Sequence, residues 1–563
     1  MAPSNRSSTR GFSTRRAFLT NSAVALTGAG LGMPSIARAL SSGQSLRQLP
    51  LQSRQPTATF FPDLVDPETL RTLARAGIEA AQRAGATYAD IRVSDSRWLR
   101  MFQSGIFLPI SEIDFKYTYG IRVNVGGAWS TAFGSNPTVD GVASSARSAV
   151  NMAKGLAKVV PAPLPFTAVP AQHGEWTTPI GIDPFAISPD EHVKLLGAYK
   201  NTAERVPDGL IDMDEFLWTS ETRVVATSEG SVVTQRLARA FPTIVVAAWL
   251  PAQSERMLLP VQGFVPKSAG VEAMLGPALQ GEIKVTTEEA RQLGTVREGK
   301  PTVGRYEAVL DGPAMGALFE ATLAHALGLD RVLGADADGD GTSFLGPVDD
   351  VLGVPFFSSA LTITADRSMP HHGAARWDDE AVPVSSYPVV RDGRVVDYFA
   401  TRANAEALSS WYAKSKKPMT LHGSAISWTP ASAPVGAPMR LQVSPGAEGN
   451  SLDALVSRMT NGVLIRGVNN SYGGMDVDQQ LSTGTFVPLH LYEVKRGKIV
   501  SRWRGGAVQF QTKQLLQSIT TMGNAASMFE YFRQYQRWDP WRPITIASPA
   551  AHFKQIDVVQ LWG

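Results

Sequence analysis

An α+β chain is what the sequence predicts: helices laid on a mixed or antiparallel sheet, then a strand-rich second half. Three observations carry this. Gly and Pro are plentiful, 50 and 37 of 563 residues, and they punctuate the chain into many strands and turns. Only 18% of residues are charged, too few for the solvated faces of a helical bundle. Helical spacing of apolar residues is confined to a few segments, and between them apolar and polar residues alternate as in strands. A chain of this length supplies about two or three domains with ample core.

Element by element, residues 1–39 read as an address rather than as fold. Arg10, Arg15 and Arg16 precede a moderately apolar stretch from Ala17 to Ile36 that ends in Ala37-Arg38-Ala39. Ser13-Thr14-Arg15-Arg16-Ala17-Phe18-Leu19 resembles a twin-arginine export signal. Cleavage after Ala39 is expected to leave a periplasmic protein without a stable membrane anchor, since the apolar stretch is too rich in Gly, Ser and Thr to span well. Residues 40–60 are expected to form a flexible leader. The first folded domain is expected over 61–300. It opens with a helix from Asp66 to Ala84, ended by Gly85, and continues in strands at Tyr88–Ser94 and Ile121–Val125. A helix follows over Gly141–Leu156, then a Pro-rich connector at 160–190 and a helix at Asp190–Arg205. Strands are expected at Arg223–Thr227, Ser231–Thr234 and Thr243–Ala248.

The second domain, 301–563, begins with a strand at Tyr306–Leu310 and a helix at 316–330. Asp392-Gly393 and Arg496-Gly497 sit between alternating runs, as hairpin turns do. A net charge of +3 with no basic stripe gives no reason to expect a nucleic-acid partner. The chain contains no cysteine, which removes disulfides, thiolate ligands and cysteine nucleophiles.

Ordered landmarks along the chain carry a resemblance. They are Gly85–Arg92, Gly120–Trp129, Gly341–Gly346, Asp378-Asp379-Glu380, Val390–Tyr398, Asn404-Ala405, Gly484–Phe486, Tyr492–Lys498 and Met522-Gly523-Asn524. Together they resemble the TldD/PmbA family, formerly described as modulators of DNA gyrase and regarded as metallopeptidases. The resemblance implies the α+β fold above, with an N-terminal helix-on-sheet domain and a C-terminal sandwich or open barrel. It also implies a divalent metal, zinc in the family, a peptide substrate, and a homodimer or a heterodimer with another family member.

Active-type members carry His-Glu-x-x-x-His on the helix that corresponds to 316–330. A gapless match places Glu320 at the first histidine, Ala321 at the glutamate and His325 at the second histidine. Ala321 thus stands where the general base is expected, and alanine accepts no proton from a metal-bound water. On a regular α-helix, residues 320 and 325 lie about 140° apart, so both reach one ion only if the helix bends or long side chains converge. An oxygen ligand in place of nitrogen shifts preference from zinc toward manganese, magnesium or calcium. Asp379 and Glu380 are the candidates to activate water in place of the missing base, and His490 is the candidate third ligand. His371, His372 and His422 read as packing or surface residues.

Asp336-Ala-Asp-Gly-Asp-Gly341 opens like a calcium loop but has Pro347 at its twelfth position, so a polar turn is the better reading. Trp538-Asp-Pro-Trp541 reads as packing or interface. Two functions stay open. One is an exported peptidase acting on small or unfolded peptides through an altered metal site. The other is a non-catalytic member that binds peptides or partners an active subunit.

Overall fold

The computed structural model describes residues 64–104, 110–159, 166–250, 255–337, 341–427, 429–430, 432–469, 474–532 and 544–561. Residues 1–39 and 40–60, where an export signal and a leader are expected, and Asp338, Asp340 and Trp538–Trp541 lie outside the described residues. The α+β architecture is as expected.

One mixed sheet takes the strands of the first half: β1 (Tyr88–Ser104), β2 (Ile110–Val125), β3 (Ala128–Ser135), β4 (His173–Thr177), β5 (Gly209–Thr227), β6 (Val232–Leu250) and β7 (Glu255–Pro260). They lie in the order β3-β2-β1-β5-β6-β4, and β7 also pairs with β6. Among the described residues, four helices cover it: α1 (Pro67–Arg83), α2 (Val139–Leu156), α3 (Pro189–Ala203) and α4 (Pro277–Leu293). Their starts are set by local chemistry. Asp66 caps α1 by accepting from the Glu68 and Thr69 amides, and Ser188 with Glu191 forms a capping box on α3.

Strand alternation divides the sheet's faces. Ile91, Val93, Ile121, Val123, Val224 and Ala226 pack against α1 and α2. Leu99, Phe216, Trp218 and Val246 join a second core that includes residues of α3 and α4. The opposite face is polar and also buried: Asp90, Arg92, Arg122, Glu221 and Arg223 are all less than a tenth exposed.

Among the described residues, the second half builds three more sheets. The largest runs β17-β18-β21-β25-β9-β16-β19-β20-β8, with β22 also on β25. Its strands are β8 (Glu298–Gly299), β9 (Gly304–Leu310), β16 (Asn461–Val468), β17 (Met475–Asp478), β18 (Thr483–Phe486), β19 (Pro488–Lys495), β20 (Lys498–Trp503), β21 (Gly506–Gln511), β22 (Ile519–Met522) and β25 (Ala551–Gln560). A six-stranded sheet orders β12 (Arg394–Val395), β11 (Tyr387–Arg391), β10 (Ile363–Ala365), β15 (Arg440–Val443), β24 (Thr545–Ser548) and β23 (Phe529–Phe532). A ribbon pairs β13 (Ala425–Ile426) with β14 (Val435–Gly436).

Helix α5 (Gly312–Phe319) is packed between β16 of the large sheet and β23 and β24 of the six-stranded one. That explains why it is apolar all round: a helix between two sheets has no solvent face. It also explains Gly316, where a Cβ would collide with Cβ of Tyr531. Among the described residues no helix is long and apolar enough to cross a membrane.

Candidate functional site: a π turn that pairs Glu320 with His325

Asp311 starts α5. Its Oδ1 accepts from the Ala314 amide at 2.9 Å and the Gly467 amide at 2.9 Å, and its Oδ2 accepts from Arg466 Nε at 2.9 Å. The helix runs regularly to Phe319 and then widens into a π turn over Glu320–Ala324. That turn changes the geometry expected from the sequence. Hydrogen bonds closing from i to i+5 bring residues five apart toward one side of the helix, whereas α-helical spacing splays them. His325 Nε2 consequently lies 3.7 Å from Glu320 Oε1, with the Glu320 side chain 1% exposed and His325 15% exposed.

A widened turn misaligns carbonyls from their α-helical donors, and a side chain makes up the loss. Gln479, wholly buried and one residue past β17, donates its amide to Ala321 O at 2.6 Å and Thr322 O at 3.2 Å. Thr322 Oγ1 bonds back to Leu318 O at 2.6 Å. Gln479 is a residue that sequence reasoning missed. Nothing local marks it, because its role depends on a turn 155 residues away or more in the chain.

The remaining candidates go elsewhere. Asp379 accepts from Arg223 Nη1 at 2.6 Å and the Ser427 amide at 2.7 Å. Glu380 accepts from Arg122 Nη2 at 2.6 Å and the Arg402 amide at 2.7 Å. Arg122 also grips Asp90, and Arg223 also grips Glu221. The two carboxylates therefore tie the loop after Trp377 to the polar face of the first sheet, and charge-assisted bonds occupy them there. Beside them, Asp378 accepts three backbone amides. Burial and the Glu380 charge push its carboxyl up to about 8.

His490 turns its Nε2 to Leu258 O at 2.7 Å, and burial pushes its imidazole down to about 4. It is held by β7 rather than joined to the Glu320–His325 pair. His371 faces Asp366 and Glu530. His372 is fully buried beside Phe241, and His422 stacks on Tyr387 with ring centres 3.8 Å apart. Asp330, just beyond the pair, accepts from Asn404 Nδ2 at 2.7 Å and from the Gly436 amide, and burial pushes it up to about 6.

Among the described residues no three His, Asp or Glu side chains converge as a metal site. A catalytic zinc takes three protein ligands plus a water and needs a base beside it. Glu320 and His325 supply two donors, and Ala321 supplies no base. The donor set does not fit a hydrolytic zinc centre.

Comparison with known proteins places the second half. Residues 303–560 match the family model described as PmbA/TldA metallopeptidase C-terminal domain. The C-terminal half is a PmbA/TldD domain. Solved structures agree with the chain in fold. The chain is similar to a modulator of DNA gyrase from Thermotoga maritima, with 14% identity and a TM-score of 0.64 over 87% of this chain and 100% of that one. The same values hold for TldE from Thermococcus kodakarensis. A modulator of DNA gyrase from Bacteroides thetaiotaomicron gives 14% identity and a TM-score of 0.61 over 87% and 99%. No curated protein matches the chain. Glu320 and His325 lie within the matched residues 303–560.

Proposed function

We propose that this chain is a non-hydrolysing PmbA/TldD-family protein that holds peptides or serves as the partner subunit of an active family member, exported through the twin-arginine segment at 1–39. The observation that carries the reading is the pair at the π turn, two donors facing each other at 3.7 Å with an alanine, Ala321, next to Glu320. The family match supports the metallopeptidase-type lineage, and the residues at the turn support loss of its ordinary chemistry.

One observation favours a second reading, an altered-metal peptidase. The π turn brings Glu320 and His325 together, as a divalent site built on an oxygen and a nitrogen donor requires. Metal analysis of the purified chain, with a peptide-hydrolysis assay of wild type and His325→Ala under zinc, manganese, magnesium and calcium, separates the two. Metal-free protein with no hydrolysis is the expected result. Stoichiometric metal with hydrolysis lost in His325→Ala would replace the first reading with the second.

A further inference from the structure

We infer that Thr520, His552 and Glu307 form a second, metal-independent centre that cleaves carboxylic esters through an acyl group carried on the Thr520 hydroxyl oxygen. The three residues stand on β22, β25 and β9 of the large sheet, and β25 pairs with both of the other strands. Alternation along these strands sends Ile519, Phe553 and Ala308 into one core and turns their chain neighbours Thr520, His552 and Glu307 to the opposite face. The centre therefore faces away from the π turn, whose Leu323 belongs to that core.

A fault in strand register places the hydroxyl. Ile519 sits opposite Phe553 and Thr521 opposite His552, with a break in register between them. Thr520 is thus an extra residue in β22, a bulge of the kind that re-aims a side chain. Its Oγ1 lies 2.5 Å from His552 Nδ1, and His552 Nε2 lies 2.8 Å from Glu307 Oε1. A carboxylate only accepts, so in the neutral imidazole Nε2 carries the proton and Nδ1 presents its lone pair to the hydroxyl. The His552 carbonyl, 3.3 Å from Oγ1, is the weaker of the two acceptors. A hydroxyl bonded to a base that a third group orients is the arrangement that activates an alcohol as a nucleophile. Thr520 is exposed, whereas the side chains of His552 and Glu307 are 18% and 30% exposed. Substrate reaches the hydroxyl, and rigid strands hold the base behind it.

In the first half of the reaction Thr520 Oγ1 attacks the ester carbonyl carbon as its proton moves to His552 Nδ1. The bond from that carbon to the alcohol oxygen breaks, the departing oxygen takes the proton from Nδ1, and the acyl group stays on Oγ1. Water then attacks the same carbon and gives a proton to Nδ1. The bond to Oγ1 breaks, Oγ1 recovers that proton, and the carboxylic acid leaves. Glu307 stabilises the imidazolium in both halves. An open sheet face favours esters of acidic alcohols over amides, because an acidic alcohol leaves with little help from a proton donor. No atom of this centre is shared with the Glu320–His325 pair, so the two stand or fall separately.

The test is hydrolysis of p-nitrophenyl acetate by the full chain in EDTA, with acetylated residues located by peptide mass spectrometry after an acid quench. Steady release of p-nitrophenol above the rate in buffer is expected, with acetyl on Thr520. Thr520→Ala and His552→Gln are each expected to lower kcat/KM about 100-fold, and Thr520→Ser to retain most of it. Glu307→Gln keeps an acceptor for Nε2 but loses the charge, and is expected to lower kcat about tenfold with KM unchanged. Thr520 is exposed, so its variants read the centre even if His552→Gln misfolds. Release no faster than in buffer overturns the assignment. So does acetyl found on lysines alone, or an equal rate in wild type and Thr520→Ala. EDTA throughout keeps either result distinct from the metal question at the π turn.

Discussion

His325 Nε2 and Glu320 Oε1 stand 3.7 Å apart across a single π turn. A regular helix would set these two residues about 140° apart, so the pair exists because the helix widens there. What holds the turn open is Gln479, which bonds Ala321 O and Thr322 O.

Gln479→Leu removes both bonds and leaves two buried carbonyls short of a donor. Each unsatisfied buried group costs roughly 1–3 kcal/mol, and part of that is recovered if the turn tightens to α. Urea unfolding is expected to show a loss of about 2 kcal/mol, with faster amide exchange at residues 324–327. Unchanged exchange there would mean the turn holds itself.

The bond between Arg122 and Glu380 joins the two halves through a buried charge layer, with side chains 5% and 0% exposed. Glu380→Ala strands part of a buried guanidinium, a change of the kind that costs about 3–5 kcal/mol. The expected result is a large fall in melting temperature with no change attributable to a lost base. A loss below about 1 kcal/mol would show that the layer is solvated in practice.

Asp214 lies fully buried on β5, and burial pushes its carboxyl up to about 7. The unfolded chain releases that proton near the ordinary aspartate value, about 4. Between these pH values the folded state binds the extra proton, so its contribution is complete at low pH and is lost as pH rises through about 7. The stability difference between wild type and Asp214→Asn is expected to drift against wild type by roughly 1.4 kcal/mol per pH unit over that window and to level off above it. A difference flat from pH 4 to 8 would place the carboxyl in contact with water.

How much of this was legible depends on where the information lies. Helices with their own caps and periodicity were plain: Asp66–Ala84 is observed as Pro67–Arg83, and Asp190–Arg205 as Pro189–Ala203. Strands were read too short. Ser231–Thr234 and Thr243–Ala248 are parts of one strand, β6, which runs through Arg236, Arg239 and Pro242. The charged positions between them are partnered across the molecule; Arg239 Nε reaches His372 O at 2.8 Å. The Asp378-Asp379-Glu380 block was visible as a motif, but its arginines come from β2 and β5, more than 150 residues away, so its role as an anchor was not. The π turn left no mark in sequence, since Thr322 and its apolar neighbours suit an α-helix equally well.

Metal linkage gives the sharpest reading of the helix that holds Glu320 and His325. A ligand bound only by the folded chain stabilises it by about 2.7 kcal/mol at a hundredfold excess over its Kd. Two donors, one of them a carboxylate facing the imidazole rather than a vacant position, are expected to hold zinc too weakly to shift the melting temperature at micromolar metal. Millimolar manganese or magnesium is expected to act no differently on wild type and on His325→Ala, because any stabilisation then arises at scattered surface carboxylates. A stabilisation by any of these ions that His325→Ala abolishes, and that Gln479→Leu weakens by loosening the turn, would show that the pair works as a metal site.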